Sequence, residues 1–180
     1  MAQNRVRLFM AMGGNFLSAM SDTEQVALGM ANVDLTVQIS TKLNRSHLVT
    51  GKEALVLPCL GRTEVDAQAQ GDQFVSVENS MGVVHKSRGS FVPASVHLRS
   101  EPAIVAGIGA ASFSDQPFPW QHVVEDYDRI RALIEAVIPG FDEYNDRVRQ
   151  DGGFYLPNGP RDGPSWATPS GKAQFMVHEL

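Results

Sequence analysis

Leu8-Phe9-Met10-Ala11-Met12-Gly13-Gly14-Asn15 decides how this chain is read. An apolar, strand-like run stops at two glycines and an asparagine, and a helical pattern begins a few residues later. In α/β domains such a loop, at the carboxyl end of a strand, brings backbone N–H groups against a phosphate or nucleotide. Glycine permits close approach of the backbone, and Asn15 can both donate and accept hydrogen bonds. The same residues would also make a tight strand-to-helix turn that binds nothing, and the octapeptide alone does not choose.

The logic repeats downstream. Arg5 to Met12 reads as a first strand, its apolar run predicting burial on both faces. Asp22 or Ser21 can cap a helix from about Thr23 to Met30, with Glu24 near its positive end. Val33 to Ile39 alternates as a second strand. Ser40 to Thr50 is polar, with a short helix around Leu43 to Val49. Ala54 to Pro58 is a short buried third strand that Pro58 ends. This β–α–β–α–β order predicts an α/β fold: a Rossmann-like, right-handed, doubly wound parallel sheet flanked by helices.

Gly61 to Ser90 is polar and reads as irregular, apart from a strand at Phe74 to Val77. Glu101 to Ser112 predicts a small-residue helix that tolerates Pro102 in its first turn. Trp120 to Ile138 reads as one amphipathic helix with Val123, Val124, Tyr127, Ile130 and Ile134 on its apolar stripe. The Glu125–Arg129 and Arg131–Glu135 pairs would decorate its other face, and Pro139-Gly140 would end it. Asp142 to Val148 suits another short helix. Gly152 to Ser170 reads as a linker or surface loop, and Ala173 to Leu180 as a strand. Residues 1–150 are thus expected to form the α/β domain, with 151–180 an irregular C-terminal extension. A strand so near Met1 and another running to Leu180 are expected of a piece of a longer protein.

A chain of 180 residues suits one domain. Its net charge of -5, with no basic block, argues against a dominant nucleic-acid role or an anionic-lipid surface. No apolar run approaches the roughly 20 residues of a membrane helix. Met1 to Arg7 lacks the apolar core of a secretion signal, and the lone Cys59 excludes a disulfide within the chain. A cytoplasmic compartment is the expectation.

Ser40-Thr41-Lys42-Leu43-Asn44-Arg45-Ser46-His47 follows the second strand at the same sheet edge as the glycines. Hydroxyls, an amide and two cations in eight residues suit a phosphate–sugar ligand; a solvated helix start has similar composition. Two such loops on one edge favour binding. After the third strand comes Leu57-Pro58-Cys59-Leu60-Gly61-Arg62-Thr63-Glu64, where Arg62 and Glu64 can fix a ligand or pair with each other. Cys59, without a second cysteine or a nearby histidine, reads as a buried small hydrophobe. The five histidines show no metal-ligand spacing, and no Gly-Lys-Ser/Thr, Gly-x-Ser-x-Gly or Glu-x-x-His motif occurs. No catalytic residue and no metal ligand is read from this chain.

Taken in order, Met12 to Asn15, Ser40 to His47, Leu57 to Glu64 and Thr168-Pro169-Ser170-Gly171-Lys172-Ala173-Gln174-Phe175 resemble molybdopterin oxidoreductases, and within them the formate-dehydrogenase-like alpha subunits. The resemblance spans nearly the whole chain. It implies the later part of the second α/β cofactor-binding region of a much longer enzyme, with Thr168 to Phe175 leading into a β-barrel domain. By position, Gly13, Gly14 and Asn15 match the loop that touches the guanine end of molybdopterin guanine dinucleotide. Ser40, Thr41 and Lys42 match the next loop near that nucleotide, although Lys-Leu-Asn-Arg-Ser-His replaces the family's more widespread Thr-Ala pattern. Leu57-Pro58 matches a strand end, Arg62-Thr63-Glu64 the glutamate-containing stretch after it, and Ser87-Arg88-Gly89 a later Gly-Arg element. The resemblance further implies molybdenum or tungsten on the cofactor, an iron–sulfur cluster in an N-terminal segment, and partners in the remaining domains and an electron-transfer protein. A piece of this kind is expected to be inactive alone and prone to self-association through faces that other domains would cover. The alternative is a self-contained Rossmann-like nucleotide-binding or interaction module with no redox role.

Overall fold

The structure, a computed structural model, describes residues 1, 3, 5–115, 117–163 and 165–178. Its contacts group into two units, Met1–Phe74 with Arg88–Tyr127, and Val75–Ser87 with Asp128–Leu180.

The first unit is built on a three-stranded parallel sheet in the order β1 (Leu8–Met12), β2 (Leu35–Ser40), β3 (Glu53–Pro58). Between β1 and β2 run α1 (Phe16–Ala19) and α2 (Thr23–Ala31); a 3-10 turn at Arg45–Leu48 lies between β2 and β3. Of the two caps the sequence allows, Asp22 is the one used at α2, accepting a hydrogen bond from the Gln25 N–H at 3.0 Å. The α/β class and the parallel sheet are as the sequence predicts.

The winding and the burial differ. Strands that advance one way, 1-2-3, keep successive right-handed crossovers on one face, so the sheet is not doubly wound here. That face is visible in the contacts. The Phe9 ring meets Phe16 of α1 at 4.8 Å, and Gln38, which shares Phe9's side of the sheet by register, donates to the Ser46 carbonyl. On the opposite side Leu8, Met10 and Met12 are 50%, 40% and 42% exposed, so β1 is half-buried on the face of Phe9 and Ala11 and exposed on the other. β3 was expected to be buried, yet Leu55 and Val56, on its two faces, are both exposed. Only β2, hydrogen-bonded on both sides, is buried throughout its centre, from Thr36 to Ile39. An apolar run therefore marks a parallel strand without telling a central position from an edge. Asp34, just before β2, receives Lys52 and Arg7 at 2.7 Å each, and these bonds, Lys52's first, hold its carboxyl at about 2.

After β3 the same unit contains the short hairpin β4 (Ala67–Gln68) and β5 (Gly71–Asp72). The second unit contributes β6 (Val75–Glu78) and β7 (Val83–Ser87), an antiparallel pair in a region read as mostly irregular. The signal for their turn was Asn79, whose side-chain oxygen accepts from the N–H groups of Met81 and Val83.

α3 (Glu101–Ser112) has its predicted bounds, with Pro102 in the first turn and Ser100 capping it. The long helix expected over 120–138 is two helices, α4 (Trp120–Glu125) and α5 (Tyr127–Val137), with Asp126 extended between them. Tertiary hydrogen bonds outbid the periodicity: the Glu125 carbonyl accepts from the Gln70 N–H, and the Tyr127 N–H donates to the Gln73 side chain at 2.8 Å. Tyr127 is buried, bonded to Ser100 and Asp66; burial, then the Asp66 carboxylate, raises its phenol well above the usual range.

In the second unit α5 is followed by α6 (Tyr144–Arg147), β8 (Phe154–Tyr155) against β7, and α7 (Gly159–Asp162). The stretch read as a linker thus supplies a strand and a helical turn. Tyr144, Phe154 and Phe141 cluster with centroids 4.7–6.1 Å apart, and the Arg147 guanidinium lies over Phe154. Arg131, expected on a solvated face, is 3% exposed, bonded to Asp128 and Asn145. Burial pushes the Asp128 carboxyl up, but Arg149 and Arg131 outweigh it and leave it below the usual range. The strand expected at 173–180 is absent over 173–178, and residues 179–180 lie outside the described residues. Phe175, Met176 and Val177 are 91%, 74% and 94% exposed, and an extended segment without a partner strand has no ladder to hold it.

Candidate functional site

Register fixes the rim. Met12, Ile39 and Leu57 lie side by side across the sheet, so the three loops that begin at Gly13, Ser40 and Cys59 leave from one edge. The Gly13 N–H continues the ladder to the Ile39 carbonyl at 2.8 Å, and the Cys59 N–H donates to the Ser40 carbonyl at 3.3 Å. This is the carboxyl edge of a parallel sheet, where α/β proteins place ligands.

The first two loops are tied together. Gly13 and Gly14 have φ of 63° and 65°, a conformation that other residues adopt only at a cost. Among the described residues, Gly14's chain neighbours aside, nothing lies within 4 Å of where a side chain on Gly14 would begin. The Gly14 carbonyl accepts from Asn44 Nδ2 at 2.7 Å, and the Asn15 Oδ1 accepts from Ser46 Oγ at 2.9 Å. Ser46 Oγ in turn accepts from the Leu17 N–H at 2.9 Å, and its carbonyl accepts from Gln38 Nε2 at 2.8 Å. Ser46 and Gln38 are buried. Asn44 also receives the Ser46 N–H, while its own N–H donates to His47 Nδ1, so the turn is closed at both ends.

The other predicted residues divide. Ser40 turns inward on its own loop, donating from Oγ to the Lys42 carbonyl. Thr41 and Lys42 are exposed on that loop. Arg62 is exposed on the third loop. Glu64 is engaged by the protein itself: its two oxygens accept from the N–H groups of Gly61 at 2.5 Å and Ala94 at 2.7 Å. Those bonds, Gly61's first, lower its carboxyl below the ordinary value. Arg88 pairs with Asp72 at 2.7 Å. Cys59 is buried as expected, and burial, then the negative charge of Glu101, raises its thiol above the usual value.

Sequence reading did not single out Asn44, Ser46, Gln38 or Glu101. Asn44 and Ser46 lay within the quoted stretch Ser40 to His47, among its amide and hydroxyls, without being separated from their neighbours; Gln38 carried no signal, because a buried glutamine looks like a surface residue in sequence. Glu101 Oε1 comes within 3.8 Å of the side-chain position of Gly13, which places a carboxylate at the rim. Among the described residues no three His, Cys, Asp or Glu side chains gather to hold a metal ion, and no helix is long and apolar enough to cross a membrane.

Against known proteins, the chain is 50% identical over 173 residues to protein YdeP of Escherichia coli, which is 96% of this chain and 23% of that protein. It is 50% identical over 181 residues to uncharacterized oxidoreductases of Mycobacterium bovis and Mycobacterium tuberculosis, all of this chain and 23% of each. The chain therefore spans about a quarter of the length of these relatives, and the likeness ties it to proteins that carry an oxidoreductase name. No protein-family model matches it.

Proposed function

We propose that this chain anchors the guanine nucleotide end of a molybdopterin guanine dinucleotide within a larger oxidoreductase of the formate-dehydrogenase-like kind. The observation that carries the reading is the joined rim: the glycine loop and the loop after β2 leave one sheet edge and are locked together through Asn44 and Ser46. The open space above Gly14 and the Asn15 amide suit a polar, phosphate-bearing tail, and the exposed Lys42 and Arg45 add positive charge nearby. The oxidoreductase name of the mycobacterial relatives supports the redox part. Gly13, Gly14, Asn15, Ser40, Thr41 and Lys42 would hold the tail, with Arg62 beside them; Glu64 holds its own loop in shape. The bound pterin and its metal would supply the electron chemistry, and this chain would bind and orient the tail.

Guanosine diphosphate serves as the probe. A hundredfold excess over Kd should add about 2.7 kcal/mol to the stability of the chain, read as a higher melting temperature. Absence of any shift at saturating concentrations would refute nucleotide binding. The chain alone should show no formate oxidation, and measurable turnover would refute the anchoring role. Exposure of Leu55 and Val56 on β3 favours a second reading, an interaction module, for which apolar association without nucleotide binding would speak.

A further inference from the structure

We infer that Ser46 is a positioning residue that turns Asn15 outward as a hydrogen-bond donor, so that the rim takes an acceptor oxygen from its ligand; this rests on the nucleotide reading above. Asn15 stands just before α1, where an asparagine ordinarily caps the helix, yet its side chain makes no capping bond. Its oxygen is taken by Ser46 Oγ instead. Ser46 Oγ donates its one proton to Asn15 Oδ1 and accepts the Leu17 N–H, so the hydroxyl's donor is spent on the Asn15 oxygen.

With Oδ1 held, Asn15 Nδ2 has no partner among the described residues and is left to a ligand. Ser46 itself cannot turn away, because it is 2% exposed and its backbone is pinned by Gln38 and Asn44. An amide free to flip would offer a donor or an acceptor; this one offers a donor. A phosphate oxygen and a purine carbonyl both answer to that chemistry.

The decisive variant is Asn15→Asp. It keeps an oxygen for Ser46 and so preserves the inner contact, but it replaces the outward donor by an acceptor. Binding of guanosine diphosphate and of guanosine is measured by calorimetry on the whole chain, with melting temperatures recorded in parallel. Asn15→Asp should weaken guanosine diphosphate binding at least tenfold, the scale of one well-made hydrogen bond, with little change in melting temperature. Ser46→Ala should weaken it similarly, and Ser46→Thr, which keeps the hydroxyl, should restore most of the affinity. A loss with guanosine as well places the contact on the base, and a loss with the diphosphate alone places it on phosphate; both support the assignment. Wild-type affinity in Asn15→Asp and Ser46→Ala would overturn the role of Ser46 while leaving the nucleotide reading in place. Failure of the wild-type chain to bind either probe would overturn both.

Discussion

The first two loops and the third leave the same sheet edge with similar polar composition, yet they use it in opposite ways. In the third, the Glu64 carboxylate turns back on the protein and staples Gly61 to Ala94. In the first two, polar side chains bond to each other across the loops, Asn44 to the Gly14 carbonyl and Ser46 to Asn15, and the side-chain position of Gly14 is open. The third loop is thereby a scaffold, and the first two form the receptor of the proposed function. Polar residues after a parallel strand mark a candidate rim, but only the partner of each polar atom separates the two uses.

The sharpest way to break the comparison lies in the scaffold. A side chain on Gly89 would begin 2.0 Å from the Glu64 carbonyl oxygen, where backbone cannot yield. Gly89→Ala should therefore cost about 3 kcal/mol, measured by urea denaturation, and a near-neutral result would mean that the third loop is not rigid.

Next in size, Glu64→Ala should cost about 1–2 kcal/mol for two charge-assisted bonds, discounted for solvent. Its pH dependence is diagnostic. Because the folded carboxyl is lowered from its ordinary 4.5, its contribution is complete above that pH and is lost as pH falls through the depressed value. The difference between wild type and Glu64→Ala should therefore shrink on acidification below about 4.5. A difference that grows instead would contradict the assigned bonds.

Gly14→Ala sharpens the receptor side. The new methyl group meets no atom of the described residues beyond its chain neighbours, so the stability cost is that of the left-handed backbone, about 1 kcal/mol. The same methyl group occupies the space assigned to the ligand, so guanosine diphosphate affinity should fall far more than stability does. Equal affinity would place the ligand elsewhere. Smallest of all, Thr41→Ala and Lys42→Ala should leave stability within about 0.5 kcal/mol. Lys42→Ala should flatten the salt dependence of nucleotide binding, and an unchanged salt profile would remove Lys42 from the site.

The contrast also explains what was legible in the sequence. Gly13-Gly14-Asn15, the cap at Asp22 and the helix 101–112 could be read because local chemistry dictates them: φ, a side-chain oxygen and a proline in the first turn. Burial of β1 and β3 could not, because exposure depends on which strand stands in the middle, and apolar runs look alike in either place. The break at Asp126 was equally hidden, since it is imposed by Gln70 and Gln73, more than fifty residues away along the chain. Ser46 lay within a quoted motif, but its role depends on Asn15, 31 positions earlier. Contacts between distant residues shape the candidate site, and a single sequence does not display them.

Amide hydrogen exchange with and without guanosine diphosphate tests the division of labour most directly. Slowed exchange at residues 13–17 and 44–47, with residues 61–64 unchanged, is the result expected of a receptor beside a scaffold. Protection centred on residues 61–64, or none at Gly14 and its neighbours, would contradict it.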